Sequence, residues 1–319
     1  MKIISTGSYV PQNVLTNAQL EKIVDTTDEW IVSRTGIKER HITSGENTSD
    51  LAYKAAINSL ENANILPKDI DLIVVATCTP DVFTPSVASH VQRKLGITCM
   101  AFDINAACSG FIYGLTIVSG LMQSGKFKYA LLIGAETLTK ITNWEDRNTC
   151  ILFGDGAGSV VLRYSKKNNI KYTYCDAKPD EGHVLEAGGV NLYNPYYKQD
   201  VTDYHIKMQG QEVFKFAVTV VESSIKKVLE QTNTPIDDID YFVCHQANAR
   251  ILKKIIKDLN VSENKFYMNL ERYGNTSAAS IPIALDEMTQ KGILVNGNKI
   301  IIVGFGAGLT WGAAMVEWS

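Results

Sequence analysis

The stretch Ala101-Phe102-Asp103-Ile104-Asn105-Ala106-Ala107-Cys108-Ser109-Gly110-Phe111-Ile112-Tyr113-Gly114-Leu115 passes from an apolar, strand-like run into a helix-like one, with Cys108 at the junction. A cysteine at a helix N-terminus meets unpaired backbone N–H groups and the positive end of the helix dipole, which favour thiolate over thiol. The thiolate is the nucleophilic form, so the placement makes Cys108 a candidate for covalent catalysis. Far downstream lie two polar clusters that could serve it, His245-Gln246-Ala247-Asn248 and Gly274-Asn275-Thr276-Ser277. Strand-then-helix reading recurs around this junction. Apolar strand candidates are 72–77, 129–135, 159–163, 241–244 and 299–304; helix candidates are 49–62, 86–95, 109–123, 211–231, 247–259 and 276–290. Continuously apolar strands alternating with helices predict sheets buried on both faces in a layered α/β fold.

The chain has 319 residues, is 45% hydrophobic and 20% charged, and carries a net charge of −3. That is the profile of a globular protein with a substantial core and no global basic field, so neither nucleic acid nor membrane is expected as a partner. No apolar run reaches the ~18 residues of a membrane span, and the N-terminus lacks a signal-peptide layout, so a cytoplasmic location is expected. The six cysteines form no C-x-x-C pair, which argues against a zinc site and a disulfide framework. Apart from Cys108 they read as small buried hydrophobes. The least regular segment, 166–209, is polar and tyrosine-rich and reads as loops with a short hairpin.

Three echoes suggest an internal duplication. Residues 67–75 resemble 235–243; Phe102-Asp103-Ile104-Asn105 parallels Phe266-Tyr267-Met268-Asn269; and Gly154–Gly158 with its strand echoes Gly304–Gly308 with its strand. The expected division is 1–165, carrying the nucleophile, and 166–319, carrying the histidine and asparagine. Related by a pseudo-dyad, the two halves would bring the Cys108 loop against the Asn275 loop, in a crevice at strand carboxyl ends.

The residue types suit thioester chemistry. A cysteine attacks a thioester carbonyl, and the oxyanion formed needs donors already in place. The backbone N–H of Cys108 is one, and a turn of small residues such as Gly306-Ala307-Gly308 can supply another. A neutral histidine and an asparagine amide, both able to donate, suit the enolate produced when a malonyl thioester loses carbon dioxide. Taken singly, His245 reads as well as a structural histidine, and Asn275 as a turn or cap. No metal is called for. A cysteine hydrolase of α/β type is the competing class, since Cys108-Ser109-Gly110 follows a strand as a nucleophile elbow does. It leaves the duplication and Asn275 unexplained.

The chain resembles the β-ketoacyl-acyl carrier protein synthase III family, thiolase-fold condensing enzymes that start bacterial fatty acid synthesis. The strings that carry the resemblance are Gly7–Pro11, Thr27–Ile31, Arg34–Ile37, Ala106–Phe111, Phe153–Gly158, His245–Asn248, Gly274–Ser280 and Thr310–Gly312, which span nearly the whole chain. The resemblance implies a five-layered αβαβα arrangement and a homodimer. It implies an acyl-cysteine at Cys108, with His245 and Asn275 assisting decarboxylation of malonyl-acyl carrier protein and carbon–carbon bond formation. An acyl-coenzyme A primer and that carrier protein are the implied substrates, with no permanently bound cofactor. Thiolases and elongating condensing enzymes place a second Cys or His where Asn275 falls. The second oxyanion donor falls on the backbone N–H of Ala307, where the family is usually more glycine-rich. Trp30, Arg34, Arg147 and Asn248 match coenzyme A contacts, and either Phe83 or Thr84 matches the residue that shapes the partner subunit's acyl channel. A relative that hands the acyl group to another acceptor in specialised metabolism fits the same motifs.

Two features can be read physically. Thr26-x-x-Glu29 reads as a capping box opening a short helix that ends near Gly36, with Trp30 and Arg34 four apart on one face. Arg250, Lys253, Lys254 and Lys257 recur at i, i+3, i+4 and i+7, with Ile251, Leu252, Ile255, Ile256 and Leu259 opposite. That basic stripe suits an acidic carrier protein docking beside His245.

Overall fold

The structure is a computed structural model that describes residues 1–200 and 203–319. Its first sheet takes strands β1 (Lys2–Tyr9), β2 (Leu72–Ala76), β3 (Met100–Ile104), β4 (Tyr129–Thr137) and β5 (Asp155–Arg163) in the order β1-β5-β4-β2-β3. The second takes β6 (Ile170–Ala177), β7 (Tyr241–Cys244), β8 (Lys299–Gly306) and β9 (Thr310–Glu317) in the order β7-β8-β9-β6. The pairings repeat. β2 runs parallel to β4, β4 antiparallel to β5 and β5 antiparallel to β1. Likewise β7 runs parallel to β8, β8 antiparallel to β9 and β9 antiparallel to β6.

The main helices are α1 (Asp28–Thr35), α2 (Thr48–Ala63), α3 (Val87–Leu95), α4 (Gly110–Gln123), α5 (Gly210–Gln231), α6 (Ala249–Leu259) and α7 (Ser280–Gln290). Helices α4 and α7 lie between the sheets, α2 and α3 cover the outer face of the first, and α5, backed by α6, covers the second. Side-chain alternation in the strands explains the layering. Leu72, Val74, Ile300 and Ile302 point into the shared central core with Phe111, Leu115, Ile281 and Leu285. Ile73 and Val75 point outward to Leu51 and Ala55, while Ile301 and Val303 point outward to Val221 and Ile225. Each buried Val, Leu or Ile contributes roughly 1.5–3 kcal/mol relative to exposure.

Several sequence readings need correction. Lys2–Tyr9 is an edge strand that the sequence reading left unassigned. Segment 166–209 does contain short paired strands, Tyr193–Asn194 with Tyr197–Lys198, but also β6, a full strand of the second sheet. Its polar, tyrosine-rich sequence hid it because an edge strand has only half its surface buried; residues 201 and 202 lie outside the described residues. The cap of α1 is Thr27, not Thr26: its hydroxyl accepts from the backbone N–H of Trp30 at 3.1 Å. The third echo is displaced. Gly134 pairs with Gly158 and Gly304 with Gly312, so Gly304 matches Gly134 in β4, and Gly304–Gly306 belongs to β8.

Candidate active site

The nucleophile's position is set by one turn used twice. After β3, the Asn105 side chain accepts from the N–H of Ala107 at 3.1 Å, Ala107 takes φ +45°, and a short 3-10 turn over Ala107–Ser109 opens α4. Ahead of α7, the Asn275 side chain accepts from the N–H of Ser277 at 2.9 Å, Ser277 takes φ +49°, and a 3-10 turn over Ser277–Ala279 follows. Each turn rests on the other sheet. A Cβ on Gly304 would stand 2.9 Å from the Ser109 Cα, and one on Gly134 would stand 2.2 Å from the Ala278 carbonyl oxygen. Only glycine allows backbones that close. This reciprocal seating carries Cys108 onto the second sheet, beside the strand that ends at His245.

Cys108, His245 and Asn275 line a single cavity of about 1120 Å³. Cys108 is part of the cavity lining, and burial pushes its thiol up to about 12. Burial therefore outweighs the thiolate preference expected from the helix N-terminus. His245 is 1% exposed, stands edge-to-face against Phe305 at 5.1 Å between ring centroids, and is pushed down to about 3 by burial. At neutral pH the two groups are thus a thiol and a neutral imidazole. Asn275 is pinned on both sides: its N–H donates to the Leu152 carbonyl at 2.8 Å, and its carbonyl accepts from Gly154 at 3.0 Å. With Oδ1 held by Ser277, Nδ2 remains as the donor end.

Gly306 packs against Cys108, where an added Cβ would lie 2.9 Å from the Cys108 nitrogen. Ala307, next along, is free of positive φ, which meets the condition for its backbone N–H to serve as a donor.

The cavity mouth holds Trp30, Arg34, Asn248 and Arg250. The Arg34 and Arg147 guanidiniums lie 5.6 and 4.8 Å from the Trp30 ring centroid, which assembles three of the four expected coenzyme A contacts. Asn248 is already occupied: Oδ1 caps α6 through Arg250 N–H at 2.8 Å, and Nδ2 donates to the Arg34 carbonyl at 3.1 Å. It ties α6 to α1. On α6, Arg250, Lys253, Lys254 and Lys257 are all exposed, but Lys254 is paired with Asp258, so the stripe is less positive than its sequence suggests. Phe83, 84% exposed, and Thr84 are not among the residues that line the cavity.

Four residues in or behind the cavity wall were given no role in the sequence reading: Cys78 and Ser277 line it, while Glu136 and Ser280 lie behind it. Cys78 is no inert hydrophobe: it lines the cavity, and its thiol donates to the buried Glu136 carboxylate at 3.4 Å. Glu136 also accepts from Thr79 Oγ1 and from the Cys78 N–H, and burial raises it above the usual carboxylate range. Ser277 lines the cavity, and its buried hydroxyl makes no hydrogen bond to another described residue. Ser280 touches His245. A lone acid ending the apolar run 129–135 was the one signal available for Glu136; Ser277 and Ser280 lay inside the polar string around Asn275 without a role of their own, and nothing in the local sequence marked Cys78.

The chain matches the family model described as 3-Oxoacyl-[acyl-carrier-protein (ACP)] synthase III over residues 102–179 and its C-terminal counterpart over 229–318. The chain belongs to the β-ketoacyl-acyl carrier protein synthase III family. It is 51% identical over 321 residues to the Beta-ketoacyl-[acyl-carrier-protein] synthase III of Clostridium acetobutylicum, covering 100% of this chain and 99% of that protein. Among solved structures, 3-oxoacyl-[acyl-carrier-protein] synthase III of Aquifex aeolicus superposes with TM-score 0.93 at 45% identity, covering 99% of each chain. The corresponding Thermus thermophilus synthase superposes with TM-score 0.94 at 39% identity, covering 100% of this chain and 99% of that one. The fold is therefore the thiolase fold, and the family member is a condensing acyltransferase.

Proposed function

We propose that the chain catalyses decarboxylating Claisen condensation of an acyl-coenzyme A primer with malonyl-acyl carrier protein, the step that initiates fatty acid synthesis. The observation that carries this reading is the convergence of Cys108, His245 and Asn275 on one cavity whose mouth holds Trp30 and Arg34.

In the first half-reaction Cys108 Sγ attacks the acyl carbonyl carbon while His245 takes the thiol proton. The oxyanion is held by the backbone N–H groups of Cys108 and Ala307, and its collapse expels coenzyme A, which leaves as the thiol by taking that proton from His245. In the second, the malonyl carboxylate leaves as carbon dioxide, and its bonding electrons form an enolate whose oxygen accepts from His245 and Asn275 Nδ2. The enolate carbon attacks the acyl-cysteine carbonyl, and Cys108 leaves as thiolate and takes up a proton from solvent. Thiol, imidazole and carboxamide supply every group these steps need, so no bound cofactor is called for. Each such donor is worth roughly 10²–10³ in rate.

Trp30, Arg34 and Arg147 form the coenzyme A clamp, with Asn248 holding the Arg34 backbone. Arg250, Lys253 and Lys257, with the paired Lys254, offer a basic face to an acidic carrier protein. The same reading divides the chain into halves 1–165 and 166–319, makes it a cytoplasmic homodimer, and sends Phe83 or Thr84 toward the partner's channel. Support for the dimer comes from β3, the outermost strand of its sheet, with Met100 exposed on it.

Intact-mass measurement after incubation with a panel of acyl-coenzyme A thioesters tests the reading. One acyl adduct on the wild type and none on Cys108→Ala is expected; an acylated Cys108→Ala protein overturns it.

A further inference from the structure

Arg40 is fully buried, in a strand over Glu39–Ile42 that pairs antiparallel with Asn13–Thr16. Its guanidinium makes three hydrogen bonds, all to neutral oxygens. Nη1 donates to the Leu15 carbonyl at 3.1 Å and to Asn17 Oδ1 at 2.9 Å, and Nη2 donates to the Ile151 carbonyl at 2.6 Å. Burial lowers the guanidinium to about 10, which leaves it charged at neutral pH. A buried cation without a carboxylate is destabilising, and an apolar side chain of the same volume would fill the space at less cost. What the arginine adds is a rigid fork of donors aimed at fixed points.

One of those points lies a single peptide unit from the backbone that anchors Asn275. The Ile151 carbonyl and the Leu152 N–H belong to one peptide group. Arg40 holds its oxygen, and its N–H donates to the Thr149 carbonyl at 3.0 Å. The next carbonyl, that of Leu152, accepts from the Asn275 N–H at 2.8 Å, and the Gly154 N–H donates back to the Asn275 carbonyl at 3.0 Å. The Arg40 stem completes the clamp. A Cβ added to Gly154 would stand 3.1 Å from the Arg40 Cβ, and one added to Gly274 would stand 3.2 Å from it. These two glycines flank the bridge between Phe153 and Asn275.

We propose that Arg40 is a positioning residue for Asn275: its guanidinium fixes the 151–154 segment, and that segment fixes the backbone from which the Asn275 amide reaches the cavity. This rests on the functional reading above and deepens it. Arg40 does not line the cavity, but Ile151, Leu152 and Phe153 of the segment it holds do. Asn275 serves the condensation half-reaction alone, so loss of the clamp falls on that half. The same guanidinium has a second branch. Asn17 Nδ2 donates at 2.8 Å to Asp28 Oδ1 in the first turn of α1, the helix that carries Trp30 and Arg34. The two branches lead to different half-reactions.

The test compares Arg40→Met, Arg40→Lys and Asn17→Ala in the full-length protein. Each is loaded with the acyl-coenzyme A thioester that gives the wild type its adduct, at saturating concentration, and then given malonyl-carrier protein. Acylation of Cys108 should stay within a few-fold of wild type in all three. Condensation should fall through kcat by roughly 10–100-fold in Arg40→Met, the cost of misplacing a catalytic group by about 1 Å. The fall should be smaller in Arg40→Lys, which keeps the stem and the charge but not the fork. Asn17→Ala should instead raise the KM for the thioester and leave condensation within a few-fold. Equal losses in both half-reactions of folded Arg40 variants, or an equal condensation loss in Asn17→Ala, overturn the proposal. A direct readout is the Asn275 side-chain amide in a ¹H–¹⁵N spectrum, assigned by its loss in Asn275→Ala. It should shift or broaden in Arg40→Lys; an unmoved signal overturns the proposal even where Arg40→Met does not fold. Should no thioester load the wild type, the functional reading falls, while the amide signal still decides what Arg40 holds.

Discussion

The two turns that meet at the cavity are built alike and equipped differently. Both begin with an asparagine folded onto the N–H two residues on, and both continue through a positive-φ residue into a 3-10 turn and a central helix. At the same place one carries Cys108 and the other Ala278; beside them one packs Gly110 on Ala76 and the other bonds Ser280 to His245. Cys108 thus lies between elements of the first sheet's run of chain, and His245 at the end of a strand of the second. Neither half alone holds the chemistry, because each turn is seated on the opposite sheet.

Substituting the paired asparagines is the sharpest way to break that comparison. Asn275→Ala should keep acylation of Cys108 while condensation falls by roughly 10²–10³, the range for loss of an oxyanion donor. Asn105→Ala loses the same turn bond but leaves condensation within a few-fold of wild type, since Asn105 is exposed at the cavity. Single-turnover assays of both half-reactions check this; equal losses would mean that the two asparagines merely shape turns.

Next in size is the reciprocal seating. Gly134→Ala forces a Cβ to within 2.2 Å of a backbone oxygen, and Gly304→Ala to within 2.9 Å of a backbone carbon. Each should cost about 1–3 kcal/mol or more by denaturant midpoint, Gly134→Ala the larger. Gly304→Ala should also slow Cys108 acylation, because it moves the nucleophile's own turn.

A smaller effect concerns pH. His245 is held at about 3 against 6.5 in a solvated histidine, so below pH 6.5 the unfolded chain binds the proton more readily than the folded one. Its contribution to stability is complete above pH 6.5 and falls as pH drops toward 3, by up to about 1.4 kcal/mol per unit. Urea titrations at pH 7 and pH 5 should therefore show a shallower acid loss in His245→Asn. An unchanged slope would place the ring in water.

Least should come from the surface. Reversing Lys253 or Lys257 to Glu should raise the KM for malonyl-carrier protein several-fold at low salt, and less at high salt, leaving acylation by acyl-coenzyme A unaffected.

Local patterns made much of this legible. Two-sided apolar strands such as Leu72–Ala76 declare a layered fold because each residue must be covered, whichever face it takes. The basic stripe of α6 and its buried opposite face follow from helical spacing alone. Cys108, His245 and Asn275 stood out through residue type, position at strand ends and family resemblance.

What the amino-acid order alone determined was therefore most of the elements, the outline of the repeat and the three candidate side chains. Tertiary structure decided their charge states and their partners. Burial overrode the helix dipole at Cys108, and Ser280 and Glu136 entered the site by packing from distant strands and helices. Desolvation and hydrogen-bond direction depend on what surrounds an atom in space, and neighbours along the chain do not specify that.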